Sequence, residues 1–317
     1  MKKFAFVFPG QGSQSVGMLD AWGDHPAVLE VLSEASDALS QDVGKLIREG
    51  SKEELALTTN TQPVMLVAGV AAYRAWLHEG GVVPAIVAGH SLGEYSALVA
   101  AGSLTLLQAA PLVRLRAAAM QAAVPVGVGA MAAILGMAAG RVNELCAEVT
   151  TSFGAESTET VEAANFNDPM QTVISGSKAA VDKACEALKA AGAKRALLLP
   201  VSAPFHSSLM RPAAEKLLQK LVDINLLAPQ IPLLNNVDVA IESDPARIKD
   251  ALYRQAFGAV RWVESVQAMN ASGVQVIVEC GPGKVLSGMV KRINADIASS
   301  VVLDLASLQE SKNILQN

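Results

Sequence analysis

The segment Ala85-Ile86-Val87-Ala88-Gly89-His90-Ser91-Leu92-Gly93-Glu94-Tyr95 passes from a short apolar run, through a glycine-flanked turn, into a helix-forming stretch. A short apolar run bounded by glycine reads as a buried strand, Ala85 to Ala88, and the apolar stretch Leu92 to Ala101, stopped at Gly102, reads as a helix. Upstream, Phe4 to Phe8 is a second buried strand running into a glycine turn. A helix from Pro63 to Leu77, with Gly80-Gly81 beyond its end, lies between the two strands. Strands alternating with helices predict an α/β fold with a parallel sheet. From Ala130 the order changes to a strand to Leu135, a helix to Val149, a strand ending near Phe166, a strand Thr172 to Ser175, a helix Ala179 to Ala190 and a strand Arg195 to Leu199. That β-α-β-β-α-β order is the ferredoxin-like motif. Strand and helix signals resume after Pro200 and end with Val274 to Val278. The expected organisation is therefore a large α/β domain made of residues 1–126 and 201–317, with a small ferredoxin-like domain, 127–200, inserted and a cleft between them. Thr150 to Thr160 is polar without periodicity and reads as an exposed loop.

With 317 residues, 51% of them apolar, the chain can bury a large core of about two units. Its net charge of -5 disfavours nonspecific binding to nucleic acid or an anionic membrane surface. Cys146, Cys185 and Cys280 are odd in number and widely spaced, which argues against a disulfide framework or a zinc site and fits a reducing cytoplasm. The Lys2-Lys3 start followed by Phe4 to Phe8 mimics a signal peptide, but the apolar run is too short. The uncharged stretch between Arg116 and Arg141 is broken by Pro125, Gly127, Gly129 and Gly136, and reads as buried structure rather than a membrane span.

Gly89-His90-Ser91-Leu92-Gly93 is a GxSxG sequence between a strand and a helix, the setting of a nucleophile elbow. The turn would push the Ser91 hydroxyl into a cleft while the helix start leaves main-chain N–H groups, Leu92 first, free to hold an anion. The plainer role for Ser91 is a helix cap. A serine nucleophile needs a base, and the chain offers four histidines: His25, His78, His90 and His206. His25 precedes Pro26 in a polar loop, His78 sits at a helix end where an imidazole complements the dipole, and His90 adjoins Ser91 on a turn where neighbouring side chains diverge. His206, in Pro204-Phe205-His206-Ser207-Ser208 between a strand and a helix, is left as the candidate. The Phe8-Pro9-Gly10-Gln11-Gly12-Ser13-Gln14 turn leaves the same predicted sheet edge, so the Gln11 N–H is a candidate second oxyanion donor; a strand exit needing glycine for geometry alone reads equally well. Arg114 and Arg116, two residues apart on a helix, point about 200° apart, so only one can face the cleft, where a guanidinium would bind an acyl carboxylate. Gly281-Pro282-Gly283-Lys284 has the wrong spacing for a phosphate loop, with Val285 where Ser or Thr should stand, and reads as a structural turn.

Over nearly its whole length the chain resembles the bacterial malonyl-CoA:acyl carrier protein transacylases, the acyl-loading enzymes of fatty acid synthesis. The motifs carrying the resemblance are Phe8 to Gln14, Thr61-Gln62-Pro63, Gly89 to Tyr95, Arg116 with Met120, Asn165-Phe166-Asn167, Phe205-His206-Ser207, Asn235-Asn236-Val237 and Gly281-Pro282-Gly283. The resemblance implies a hydrolase-like α/β core with the ferredoxin-like insert. It also implies that Ser91 carries the acyl group, His206 is its base, the Gln11 and Leu92 N–H groups hold the oxyanion, and Arg116 rather than Arg114 binds the carboxylate. It implies a main-chain carbonyl, at Gln255, orienting the histidine in place of an aspartate, and sets Gln62, Asn165 and Asn236 near the acyl pocket. Two residues depart from the family pattern: Phe257 and Ala259 stand where Tyr and Pro are usual, which puts the loop around Gln255 in question.

The expected reaction is ping-pong transfer from malonyl-CoA, a substrate with no further cofactor, to the phosphopantetheine thiol of acyl carrier protein. The expected protein is a cytoplasmic monomer binding neither nucleic acid nor membrane. Acyl carrier proteins are acidic, so a local basic surface is expected, with Lys194, Arg195, Lys284, Lys291 and Arg292 as candidates. A serine thioesterase or esterase would share GxSxG but place an acid before the histidine, where Asp168 and Asp182 are available. A noncatalytic carrier-binding module is the reading from another class, and the intact Ser91 and His206 weigh against it.

Overall fold

The computed structural model describes residues 1–316. Its strands are β1 (Phe4–Phe8), β2 (Ile86–Gly89), β3 (Gly129–Leu135), β4 (Val161–Asp168), β5 (Gln171–Ser177), β6 (Arg195–Leu198), β7 (Leu233–Leu234), β8 (Val276–Cys280) and β9 (Ala298–Val302). Five of them form one parallel sheet in the order β7-β2-β1-β8-β9. All five β1 residues are buried, so the strand has no solvent face to spare for polar side chains. Phe4, Phe6 and Phe8 point to one side, where the Phe6 ring meets Trp76 and Tyr73 edge-on at 5.2 and 5.9 Å, both residues of the Thr58–His78 helix. Ala5 and Val7 point to the other, joining Trp262, Val266, Leu286 and Met289 in a second core beneath the Trp262–Ala271 and Val285–Ile293 helices. Helices thus cover both faces, as buried parallel strands require.

The register pairs Phe8 with Gly89, so β1 and β2 end side by side and their following turns leave the same edge of the sheet. The turn after β2 closes tightly enough to demand glycine: a Cβ on Gly89 would lie 1.9 Å from the Gly93 carbonyl carbon, and one on Gly93 would lie 2.0 Å from the Phe8 oxygen.

Residues 129–198 form a second, antiparallel sheet ordered β4-β5-β3-β6, with the Ala139–Thr151 and Lys178–Ala190 helices on one face. Alternation along β3 sorts its side chains: Ala132 and Ile134 pack under those helices, while Met131 and Ala133 join the core shared with the large sheet. β4 bulges between Ala163 and Asn165 and again between Phe166 and Asp168. Between the bulges, Phe166 N donates to Val260 O at 2.9 Å and Val260 N to Ala164 O at 2.8 Å, tying the small sheet's edge to the large unit.

The structure shifts several element bounds by one or two residues, the strand read as Thr172 to Ser175 running Gln171–Ser177 for example, and differs further as follows. A strand, β9, follows Val276–Cys280, so strand structure does not end at Val278. The helix read as starting at Pro63 begins at Thr58: the Leu57 carbonyl accepts from Asn60 N and Thr61 N, so a turn forms ahead of the proline despite its missing N–H. The expected loop at Thr150 starts two residues later, since the helix runs on to Thr151. Among the described residues no helix is long and apolar enough to cross a membrane.

Candidate active site

Ser91 sits on the turn between β2 and the Gly93–Ala100 helix with φ 51°, a left-handed conformation uncommon outside glycine. Asn236 holds that turn: its Oδ1 accepts from Ser91 N at 2.7 Å, and its Nδ2 donates to Gly89 O at 2.6 Å. His206, also at positive φ, 60°, is buried and stands 2.7 Å through Nε2 from Ser91 Oγ. Its Nδ1 lies 2.9 Å from Gln255 O and 3.1 Å from Gly258 O. Two carbonyls can only accept, so Nδ1 carries the proton and Nε2 presents its lone pair to the serine hydroxyl. Burial, and secondarily the positive charge of Arg116, hold the His206 pKa down to about 3, so the ring is neutral at neutral pH.

Arg116, buried on the Leu106–Gln121 helix, spreads its guanidinium over three oxygens: Nη1 donates to Gln62 Oε1 at 2.7 Å, and Nη2 to Gln255 Oε1 at 3.0 Å and Ser91 Oγ at 3.3 Å. It lies over the Tyr95 ring at 5.5 Å and makes no ion pair among the described residues. Arg114 points the other way, to Gln41. The Gln255 amide nitrogen donates to Ser91 O at 2.9 Å and Glu94 Oε2 at 3.0 Å, and the same Glu94 oxygen accepts from Asn236 N at 3.0 Å. Burial pushes the Glu94 carboxyl up to about 7.

These groups surround a cavity of about 120 Å³ lined by Gln11, Ser91, Leu92, Arg116, Asn165 and His206 among others. Gln62 also borders it, and the apolar wall comes from Met120, Met131, Leu199, Val201 and Phe205. Both sheets contribute: Met131 and Asn165 project from β3 and β4. Neither the Gln11 nor the Leu92 N–H has an acceptor among the described residues. Asn236 lies behind the Ser91 turn rather than on the cavity, and Gln255 reaches the site by its carbonyl and its amide. An oxygen nucleophile, a neutral imidazole base, two free N–H groups and a guanidinium without a counter-ion can together attack a carbonyl, hold the resulting oxyanion and grip an acidic acyl group.

Other sequence candidates fall elsewhere. His90 also lines the cavity, but its ring bonds Asn167 Oδ1 at 2.9 Å rather than Ser91. His25 is buried just ahead of the Pro26–Leu39 helix, and both it and His78 contact Glu79 Oε1, at 3.3 and 3.2 Å. Asp168 pairs with Arg292 at 2.6 Å and Asp182 with Lys178 at 2.6 Å, so neither reaches His206, whose Nδ1 is already taken by carbonyls. Phe257 packs edge-on against Tyr253 at 5.3 Å and under Arg211 at 4.3 Å, and the loop bearing Phe257 and Ala259 still turns both the Gln255 and Gly258 carbonyls onto His206. Gly281 and Gly283 take positive φ just before the Val285–Ile293 helix, a turn as expected.

Sequence reasoning missed Glu94 and the Gly258 carbonyl. The first had a signal, a lone carboxylate among apolar neighbours in Gly93-Glu94-Tyr95-Ser96-Ala97-Leu98. The second had none, since any residue supplies a carbonyl.

Comparison with known proteins gives a consistent result. The acyl transferase domain family matches residues 5–308. The chain is 50% identical over 309 residues to the malonyl CoA-acyl carrier protein transacylase of Salmonella typhimurium, covering 97% of this chain and 98% of that protein. It is 60% identical to the acyl-carrier-protein S-malonyltransferase of Burkholderia pseudomallei, whose crystal structure superposes with a TM-score of 0.95 over 98% of this chain and 99% of that one. A malonyl-transacylase solved in complex with its type II PKS acyl-carrier protein is 47% identical, with a TM-score of 0.94 over 99% of both chains.

Proposed function

The chain belongs to the acyl transferase family, and from that premise we propose that Ser91 carries a malonyl group between coenzyme A and acyl carrier protein, with His206 as its base. The reaction is that of an [acyl-carrier-protein] S-malonyltransferase of fatty acid biosynthesis. The observation that carries the assignment of residues is the convergence on one atom: Ser91 Oγ has His206 Nε2 at 2.7 Å and Arg116 Nη2 at 3.3 Å.

In the first half-reaction His206 Nε2 takes the hydroxyl proton as Ser91 Oγ bonds to the thioester carbonyl carbon, and the oxyanion forms toward the N–H groups of Gln11 and Leu92. The C–S bond then breaks, and His206 returns its proton to the departing coenzyme A sulfur. The second half-reaction reverses these steps, with the phosphopantetheine thiol as nucleophile. Arg116 pairs with the free malonyl carboxylate, and the Gln62 and Gln255 side-chain oxygens hold its guanidinium at the cavity. That pairing also offsets the Arg116 charge, the second cause of the low His206 pKa, so an acidic substrate raises the basicity of its own catalyst. Asn236 maintains the Ser91 turn, and Asn165 faces the acyl chain from the small sheet.

Malonyl-CoA is a substrate in this scheme and no cofactor takes part, since thiol, proton and acyl group balance between substrates and side chains. Nucleophile, base, oxyanion donors and guanidinium all come from one chain, so a monomer suffices for the reaction. Residues 1–126 and 201–317 serve as a hydrolase-like catalytic domain, and 127–200 as a ferredoxin-like insert roofing the acyl pocket. The buried free cysteines fit a reducing cytoplasm, and the net charge of -5 disfavours nonspecific binding to nucleic acid or an anionic membrane. Exposed Lys194, Arg195, Lys284 and Lys291, with Arg292, supply a basic surface for the acidic carrier.

Initial rates measured with malonyl-CoA and carrier protein varied together should give parallel double-reciprocal lines, and charge reversal at Lys291 should raise the carrier KM in a salt-sensitive way. Malonate released at the same rate without carrier would mark a hydrolase instead, and kinetics indifferent to the Lys291 charge would remove the docking surface.

A further inference from the structure

Glu94 is 1% exposed, yet it does not line the cavity. Its Oε2 joins two supports of the site: the main-chain N–H of Asn236, whose side chain holds the Ser91 turn, and the amide nitrogen of Gln255. That amide has only two possible orientations. In the one present, its two N–H bonds go to Glu94 Oε2 and Ser91 O, both pure acceptors, and its oxygen faces Arg116 Nη2 at 3.0 Å. Rotated by a half-turn, its N–H groups would meet the N–H groups of Arg116, and its oxygen would meet a carboxylate and a carbonyl. Without Glu94, one of the three bonds that select the productive orientation is lost and a buried N–H has no partner.

Arg116 depends on that selection. It makes no ion pair among the described residues, and its guanidinium is placed by the Gln62 and Gln255 oxygens and by Ser91 Oγ. We propose that Glu94 is a positioning residue for the carboxylate clamp: it holds the Gln255 amide oxygen toward Arg116, and so sets the enzyme's preference for acyl groups that end in a carboxylate. The proposal rests on the reading of Arg116 as the partner of the malonyl carboxylate. Because the bond from Glu94 to Asn236 N supports the Ser91 turn for any acyl group, discrimination between substrates, rather than rate alone, separates the clamp role from a structural one.

The test compares loading from malonyl-CoA and from acetyl-CoA, each as kcat/KM, in the wild type, Glu94→Leu and Glu94→Gln. Glu94→Leu should lower the malonyl-to-acetyl ratio by about 10-fold or more, with the loss in the malonyl-CoA KM. Glu94→Gln, which keeps an oxygen acceptor for the Gln255 amide, should stay within about 3-fold of the wild-type ratio. Equal losses on both substrates, or an unchanged ratio in Glu94→Leu, would overturn the proposal. If Glu94→Leu does not fold, Gln255→Met cuts the same link from the other side, and an unchanged ratio there overturns it equally. A wild type that takes up no malonyl group at all would refute the Ser91 reading instead, so the two failures are distinct.

Discussion

At the scale of single residues, the site is built from conformations the chain would not choose unaided. Ser91 and His206 both sit at positive φ, a cost of about 1–2 kcal/mol each for a residue with a Cβ. Asn236 restrains the first through two hydrogen bonds, and two main-chain carbonyls restrain the imidazole of the second. Glu94 adds a measurable consequence. The charges facing it are Arg116, which lowers its pKa, and Asp238, which raises it; the buried Tyr95 hydroxyl, itself pushed up to about 12, stays neutral. Burial outweighs these and raises the carboxyl from 4.5 to about 7. The folded state therefore binds this proton more tightly than the unfolded chain. Its contribution to stability is fully present below pH 4.5 and is lost as pH rises through about 7. Denaturant titrations should show a loss of up to about 3 kcal/mol across that window that Glu94→Gln lacks. Identical profiles for the two proteins would mean that Glu94 is not the group responsible.

At the scale of elements, β1 carries the sheet and delivers the Gln11 turn. Phe6 is fully buried against Trp76 and Tyr73, so Phe6→Ala should cost about 3–5 kcal/mol in chemical denaturation. A cost under about 1 kcal/mol would contradict the packing described. β1 and β2 were legible in the sequence because each is a short apolar run ending in a glycine turn, and the small sheet because its strands and helices alternate in period. β9 was not: Ala298-Ser299-Ser300-Val301-Val302 is a half-buried edge strand whose serines interrupt the apolar pattern. The start of the Thr58–His78 helix was hidden by Pro63, which reads as a beginning when it lies inside. In the site, Ser91 was readable from its motif and His206 by elimination among four histidines, and the two meet at 2.7 Å. Glu94 and the Gly258 carbonyl acquire meaning only once the chain brings residues 89–94, 236 and 255–258 together.

At the scale of the whole molecule, the cavity beside Ser91 belongs to neither sheet alone. The large sheet supplies Ser91 and the Gln11 turn, the small one supplies Met131 and Asn165, and the tie between Phe166 and Val260 fixes one against the other close to the base-holding loop. His90 with Asn167 and Arg292 with Asp168 add two side-chain links across the same boundary. The guanidinium of Arg116 lines this joint cavity and makes no ion pair among the described residues. The most direct test is the intact mass of the protein after incubation with malonyl-CoA alone and, separately, with acetyl-CoA alone. The wild type should form a malonyl adduct that disappears in Ser91→Ala, and Arg116→Ala should lose the malonyl preference over acetyl. A malonyl adduct that survives in Ser91→Ala, or a wild type that acquires none, would contradict it.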